Sequence, residues 1–248
     1  MEINLKGKRA LITGGSRGIG RAIAETLSAA GCEVAINYLR NKAAAEKTSQ
    51  GLKKPALLLK ANVGKDEEVE QMFETIKKEW GGLEIVVNNA ASGVMKPPLE
   101  LTHHHWQWTL DINSWALLAI AQKAVPLMKK GGTMIAISSL GATRAIPNYT
   151  LVGASKAALE SVVRHLAQAL ASQNINVNAI SAGVVDTDAL KHFSNRDALL
   201  KNAKQKTPAG RVVDPQDVAN VALFLCSDLA RMIHGATITV DGGYSIVA

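Results

Sequence analysis

Residues 9–20 read RALITGGSRGIG, an apolar run that passes without a break into a turn with glycines at positions 14, 15, 18 and 20. A short strand, a glycine-rich turn and the amphipathic pattern of residues 18–30 together make the opening of a βαβ unit. Glycine permits a tight turn and a close backbone approach, and the N–H groups at the start of the next helix attract an anion such as a pyrophosphate. The spacing is G-x-x-x-G-x-G rather than the commoner G-x-G-x-x-G. Alone, the turn is compatible with a plain structural loop, but its place between strand and helix favours a dinucleotide site.

Outward from this stretch the same alternation repeats. Further strand patterns cover residues 33–37, 56–60, 84–88, 133–138, 176–181 and 237–240, and helical patterns cover 42–52, 67–80, 102–128, 150–171 and 215–227. Several strand runs are apolar throughout, as expected of strands buried on both faces of a parallel sheet. Thr102 and Asp214 are suited to cap the helices they precede, Asp214 especially because Pro215 follows. The expected fold is α/β: one Rossmann-type doubly wound parallel sheet of about seven strands with helices on both faces, a single dinucleotide-binding and catalytic domain over residues 1–248. Ligands of such sheets bind beyond the carboxyl ends of the strands, where strand order reverses.

Composition narrows the function classes. The chain is 47% hydrophobic and 20% charged, which is ordinary globular composition. Cys32 and Cys226 sit within apolar patterns, which argues against a disulfide framework and for a reducing cytoplasm. The N-terminal MEINLKGKRALIT lacks a signal architecture, and no apolar run approaches the ~20 residues of a membrane span, so no membrane association is expected. The net charge of +7 is spread along the chain, with no basic block interleaved with aromatics. Nucleic acid is therefore not an expected partner; an acidic protein or phosphate-bearing ligand is better motivated, beside a merely solvated basic surface.

The second strand ends in Asn37-Tyr38-Leu39-Arg40, with no carboxylate to bind the adenosine ribose of NAD. Arg40 with Arg17 can instead pair with a ribose 2′-phosphate, so NADPH is the expected cofactor; the other reading leaves Arg40 a solvated residue. Asn62-Val63 and Asn88-Asn89-Ala90-Ala91 follow the third and fourth strands, on the same carboxyl edge.

These residues resemble the short-chain dehydrogenase/reductase family. The resemblance is carried by the turn from Thr13 to Gly20, the Asn88-Asn89-Ala90-Ala91 run, Asn113, Ser139, Tyr149, Lys156 and Val240-Asp241-Gly242-Gly243, and it spans essentially the whole chain. It implies cofactor contacts from Gly14, Ser16, Arg17, Gly18, Ile19, Gly20, Arg40, Asn62, Val63, Asn89, Ala90 and Lys156. By the same resemblance the Val185 backbone and Thr187 hold the nicotinamide amide and a nearby phosphate, and no metal takes part. Ala91, Asn62 and Ala182 depart from the family's usual glycine, aspartate and proline.

The tyrosine is the larger departure. Most members place it four residues before the lysine, where this chain has Val152, while Tyr149 lies seven before Lys156. Either the site is dead or Tyr149, expected about 10.5 Å along the same helical face, supplies the hydroxyl. The Tyr-x6-Lys spacing resembles the enoyl-acyl-carrier-protein reductases of the same fold, and most of all the NADPH-dependent type III group of bacilli. That likeness rests on residues 88–94 (NNAASGV), 138–141 (SSLG), 148–150 (NYT) and 186–193 (DTDALKHF). Conjugate reduction supplies a physical reason. Hydride goes to Cβ while charge develops on an oxygen two bonds further off than in carbonyl reduction, so a displaced hydroxyl can meet it.

The resemblance thus implies that Tyr149 hydrogen-bonds an enolate oxygen and that Lys156 binds the nicotinamide ribose and supplies positive charge. Ser139 either assists the substrate oxygen or is a structural hydroxyl, and Asn113 either stabilises its helix or holds a water near Lys156. The resemblance also implies an acyl thioester substrate on an acidic acyl carrier protein and a homo-oligomer, a dimer or a homotetramer, assembled through helices 102–128 and 150–171. Two other readings stand: a carbonyl reductase acting on a 3-oxoacyl thioester or another ketone, and a non-catalytic dinucleotide-binding sensor or scaffold.

His103, His104 and His105 are consecutive on a helix and cannot ligate one metal together; a solvated helix start is expected. Trp106 and Trp108 are expected in packing or subunit contacts. Residues 188–211 are expected to cover the substrate, with Lys191, His192 and Arg196 meeting phosphopantetheine or the carrier, or else forming a solvated face.

Overall fold

The computed structural model describes residues 3–187 and 196–247. Seven strands, β1 (Arg9–Ile12), β2 (Glu33–Tyr38), β3 (Leu57–Lys60), β4 (Ile85–Asn88), β5 (Gly132–Ser139), β6 (Ile175–Ala182) and β7 (Thr237–Val240), form one sheet. Their order is β3-β2-β1-β4-β5-β6-β7 and every pairing is parallel. The expected doubly wound α/β architecture is what forms. The chain winds outward from β1 through β2 to β3 and then returns to β4, so the order reverses between β1 and β4. A crevice at that point is where a parallel sheet accepts a ligand.

Alternation along the strands explains the all-apolar runs. Ala10, Ile12, Ile85, Val87, Ile135, Ile137 and Ile180 enter the core on one face, packed with Ile23, Leu27, Val218 and Leu225. Leu11, Val86, Met134, Ala136, Val177 and Ala179 enter the other, against Phe73, Ile76, Leu117, Ile120, Leu159 and Val163. Side chains with a period of two reach opposite faces, and both faces are covered, so both parities are predominantly apolar. The first face is covered by α1 (Gly18–Ala29), α2 (Lys42–Gln50) and α8 (Pro215–Leu225), the second by α3 (Asp66–Trp80), α5 (Ala116–Ala124) and α6 (Thr150–Leu170).

Two helix starts follow the sequence. Thr102 Oγ1 accepts from His105 N at the head of α4 (His103–Leu110), and Asp214 Oδ1 accepts from Gln216 N with Pro215 in the first position. The helix expected over 102–128 is not continuous. A π-helical segment, Asp111–Trp115, separates α4 from α5, and a tight turn at Val125–Leu127 ends the run. Pro126 cannot donate into a regular last turn, and the wide segment lets the Asn113 side chain reach outside its own helix. A helix that the sequence did not suggest, α7 (Arg196–Lys206), lies inside the expected cover segment. Among the described residues no helix is long and apolar enough to cross a membrane.

Candidate active site

A cavity of about 1290 Å³ runs across the carboxyl ends of the strands at the β1/β4 reversal. Gly14, Ser16, Arg17, Gly18, Ile19, Arg40, Asn62, Val63, Asn89, Ala90, Ser139, Tyr149, Lys156, Val185 and Thr187 all border it. Gly20 and Asn113, named with them from the sequence, are not among its lining residues.

Gly20 serves packing. A Cβ there would lie 2.5 Å from both Asn89 Nδ2 and Gly14 O, so only glycine lets α1 start this close to the β4 end. The turn itself has Gly14 at φ 61° and Gly18 at φ 54°, conformations that favour glycine. Asn89 Nδ2 donates to Thr13 O at 2.9 Å and to Gly14 O at 3.1 Å. Thr13 Oγ1 accepts from the N–H groups of Asn89 and Ala90, clamping the β1 and β4 ends together. Asn37 holds the next pair of strands, accepting from Gly14 N and donating to Ala61 O at 2.9 Å. At the start of α1 the capping position, Arg17, makes no side-chain cap, which leaves first-turn N–H groups for an anionic ligand at the cavity. Arg17 and Arg40 border the same cavity, and no carboxylate stands between β2 and Arg40. A nicotinamide dinucleotide therefore fits these residues: glycines open the approach, helix N–H groups meet the pyrophosphate and amides line the β3 and β4 ends.

The other half of the cavity is built by the segment from β5 into α6. Lys156 is 5% exposed and its Nζ donates to Ile137 O at 2.7 Å. The Tyr149 hydroxyl donates to Ser139 Oγ at 3.3 Å, and Ser139 Oγ also accepts from Gly141 N. Ser139 thus holds the local turn and contacts the tyrosine. Tyr149 stands at the N-terminal boundary of α6, after Asn148 at φ 60°, immediately before the helix expected from residue 150. Its ring lies on Gly141, where a Cβ would come within 2.5 Å of Cε1. Val152, at the usual tyrosine position, is buried against Gly93 and does not border the cavity.

Burial raises the Tyr149 pKa above its ordinary value of 10, partly opposed by the Ser139 hydrogen bond. Burial also lowers the Lys156 pKa to about 8, opposed by the charge of Glu160. Glu160 Oε1 accepts from Ser138 Oγ at 2.6 Å.

Asn113 is fully buried. Its Oδ1 accepts from Ser92 N at 2.8 Å, and its Nδ2 donates to Ser92 O at 2.8 Å and to Ser155 Oγ at 2.9 Å. Both of its N–H groups are engaged, so it braces the loop after β4 against α6, a role different from the two expected. Arg196 pairs with Asp186, with Nη2 2.7 Å from Oδ1. Lys191, His192 and Phe193 lie outside the described residues. His105 Nδ1 accepts from Thr102 N, and no group of three or more His, Cys, Asp or Glu among the described residues could hold a metal. Trp108 borders the cavity, which corrects its assignment to packing or subunit contacts. Sequence reasoning missed Arg144, Ile146 and Tyr244, which also border the cavity and stand in no motif that marks them.

A family model described as enoyl-(acyl carrier protein) reductase matches residues 14–245. The chain belongs to the enoyl-acyl-carrier-protein reductase family. Among the members it resembles, the enoyl-acyl-carrier-protein reductase (NADH) FabI of Nostoc sp. is 38% identical over 255 aligned residues, covering 99% of both chains. The 1-cyclohexenylcarbonyl-CoA reductase of Streptomyces collinus is 39% identical over 243, covering 96% of this chain and 87% of that one. The crystal structure of the Bacillus cereus enoyl-acyl carrier protein reductase with NADP+ and indole naphthyridinone superposes with a TM-score of 0.90 at 31% identity over the full length of both chains. The family's enoyl chemistry agrees with a cavity that Tyr149 enters and Val152 does not.

Proposed function

We propose that this enoyl reductase reduces the C2=C3 double bond of a 2-enoyl thioester with NADPH, its acyl chain borne by an acidic acyl carrier protein. The observation that carries the reading is the exchange at α6: Tyr149 borders the cavity beside Ser139, while Val152 packs away against Gly93. Bound reduced nicotinamide supplies the hydride. Addition of hydride at C3 moves the π electrons onto the thioester oxygen, where Tyr149 donates its hydrogen bond; a proton taken up at C2 completes the balance. The raised pKa keeps the Tyr149 hydroxyl protonated at neutral pH, and Ser139 orients it. Lys156 as an ammonium would hold the nicotinamide ribose and Val185 and Thr187 its amide end, while Asn113, away from the cavity, positions the β4 loop. Arg144, Ile146 and Trp108 form part of the remaining wall, with Ile146 and Trp108 presenting apolar surface for the acyl chain.

The named relatives differ in cofactor, NADH in the Nostoc enzyme and NADP+ in the Bacillus cereus structure, so NADPH is argued from this chain's own residues. Arg17 and Arg40 at the cavity with no acidic residue after β2 support a bound 2′-phosphate, as in the type III enzymes of bacilli that residues 88–94 and 186–193 resemble. Exposed Trp106 and Trp115 beside α4 and α5 support a homo-oligomer, a dimer or tetramer, and the two free buried cysteines suit the cytoplasm. Nicotinamide absorbance followed with NADPH and NADH against crotonyl and acetoacetyl thioesters in parallel tests the reading. Oxidation of NADPH with the crotonyl thioester, abolished in Tyr149→Phe, is expected; turnover only with acetoacetyl thioester would overturn it.

A further inference from the structure

Glu160 is 8% exposed, lies one helical turn beyond Lys156 on α6 and is not among the residues bordering the cavity. Its surroundings are apolar: Leu159 and Val163 beside it belong to the core. Two consecutive residues of β5 hold this face of the helix. Ile137 O accepts from Lys156 Nζ at 2.7 Å, and Ser138 Oγ donates to Glu160 Oε1 at 2.6 Å. A tie from helix to strand needs only a neutral amide, and burying a carboxylate is costly unless its charge is used. We propose that Glu160, gripped by Ser138, is the fixed counter-charge of Lys156 and so a positioning residue that keeps the lysine an ammonium inside a dry site. This rests on the role given to Lys156 under the proposed function.

The surrounding elements offer no substitute charge. β5 and β6 carry no ionisable side chain, and the Leu140–Ala142 turn between β5 and α6 carries none. The π-helical segment presents Asn113 and Ser114, its Asp111 being exposed. On α5, Lys123 is paired with Glu70, and on α4 His105 serves the cap. Tyr149, on α6 itself, stays protonated. Burial depresses the lysine, and among the described residues Glu160 is the one charged side chain that acts on it in the opposite sense.

The decisive measurement is NADPH affinity against pH by fluorescence titration, which needs no acyl substrate. In the native enzyme affinity falls as pH rises through about 8, where Lys156 loses its proton. Glu160→Gln keeps the shape and removes the charge, and is expected to move that midpoint down by about one pH unit or more. Glu160→Asp, which keeps the charge, is expected to retain the native midpoint even if less stable, an outcome a purely structural role would not give. If Glu160→Gln does not fold, Ser138→Ala serves: it releases the carboxylate from its place beside the lysine, and the midpoint moves in the same direction by less. An unchanged midpoint in the folded variant overturns the inference. Failure to reduce the crotonyl thioester would instead overturn the proposed function and leave this pH shift standing.

Discussion

Tyr149 shows how one residue's surroundings convert a spacing into chemistry. Its ring is fixed by the absence of a side chain at Gly141, its hydroxyl by Ser139, and its protonation by burial. Gly141→Ala is therefore expected to displace the ring and to lower kcat by about a hundredfold, because an ångström of misplacement costs that much in a positioned site. NADPH affinity should change little, and steady-state kinetics beside a binding titration separates the two. The Tyr149–Lys156 pair was legible in the sequence because both residue types are chemically distinctive and close in the chain. The partners that tune them were not. Ser138 belongs to a strand, and that its hydroxyl meets Glu160 depends on how α6 packs across β5.

At the scale of elements, the run from α4 through α5 was legible as apolar and helical, but its interruption was not. Local propensity favours an unbroken helix over residues 103–124; the π segment is retained by bonds that the Asn113 amide makes to Ser92 and Ser155, far away in sequence. Asn113→Leu keeps the volume and leaves the Ser92 N–H and carbonyl without their partner. The expected loss is about 3 kcal/mol, seen as a lower urea midpoint with kcat reduced more than cofactor affinity. Equal effects on both would count against the loop's being braced for substrate. Helix starts were better legible, since a cap is a local device: Thr102 and Asp214 cap as their sequences dictate.

At the scale of the molecule, the cavity is lined by residues from both halves of the sheet, with Gly14, Arg40 and Asn62 on the β1–β3 side and Asn89, Ser139 and Val185 on the β4–β6 side. A ligand there bridges the halves and stabilises only the folded chain. At a hundred times its Kd, NADPH should add about 2.7 kcal/mol and raise the Tm by roughly 5–10 °C. NADH at the same concentration should raise it less, and equal shifts in a thermal melt would argue against a bound 2′-phosphate. The sequence by itself determined the layered parallel sheet, because strands buried on both faces are predominantly apolar at both parities, and the glycine turn that opens the cavity, because its backbone needs residues without a Cβ. Tertiary structure alone decided that Val152 faces Gly93 while Tyr149 faces the cavity, that Asn113 braces a loop, and that Glu160 stands against Ser138. Those facts depend on which surfaces meet once distant segments pack, and contacts between residues far apart in the chain leave no periodicity to read.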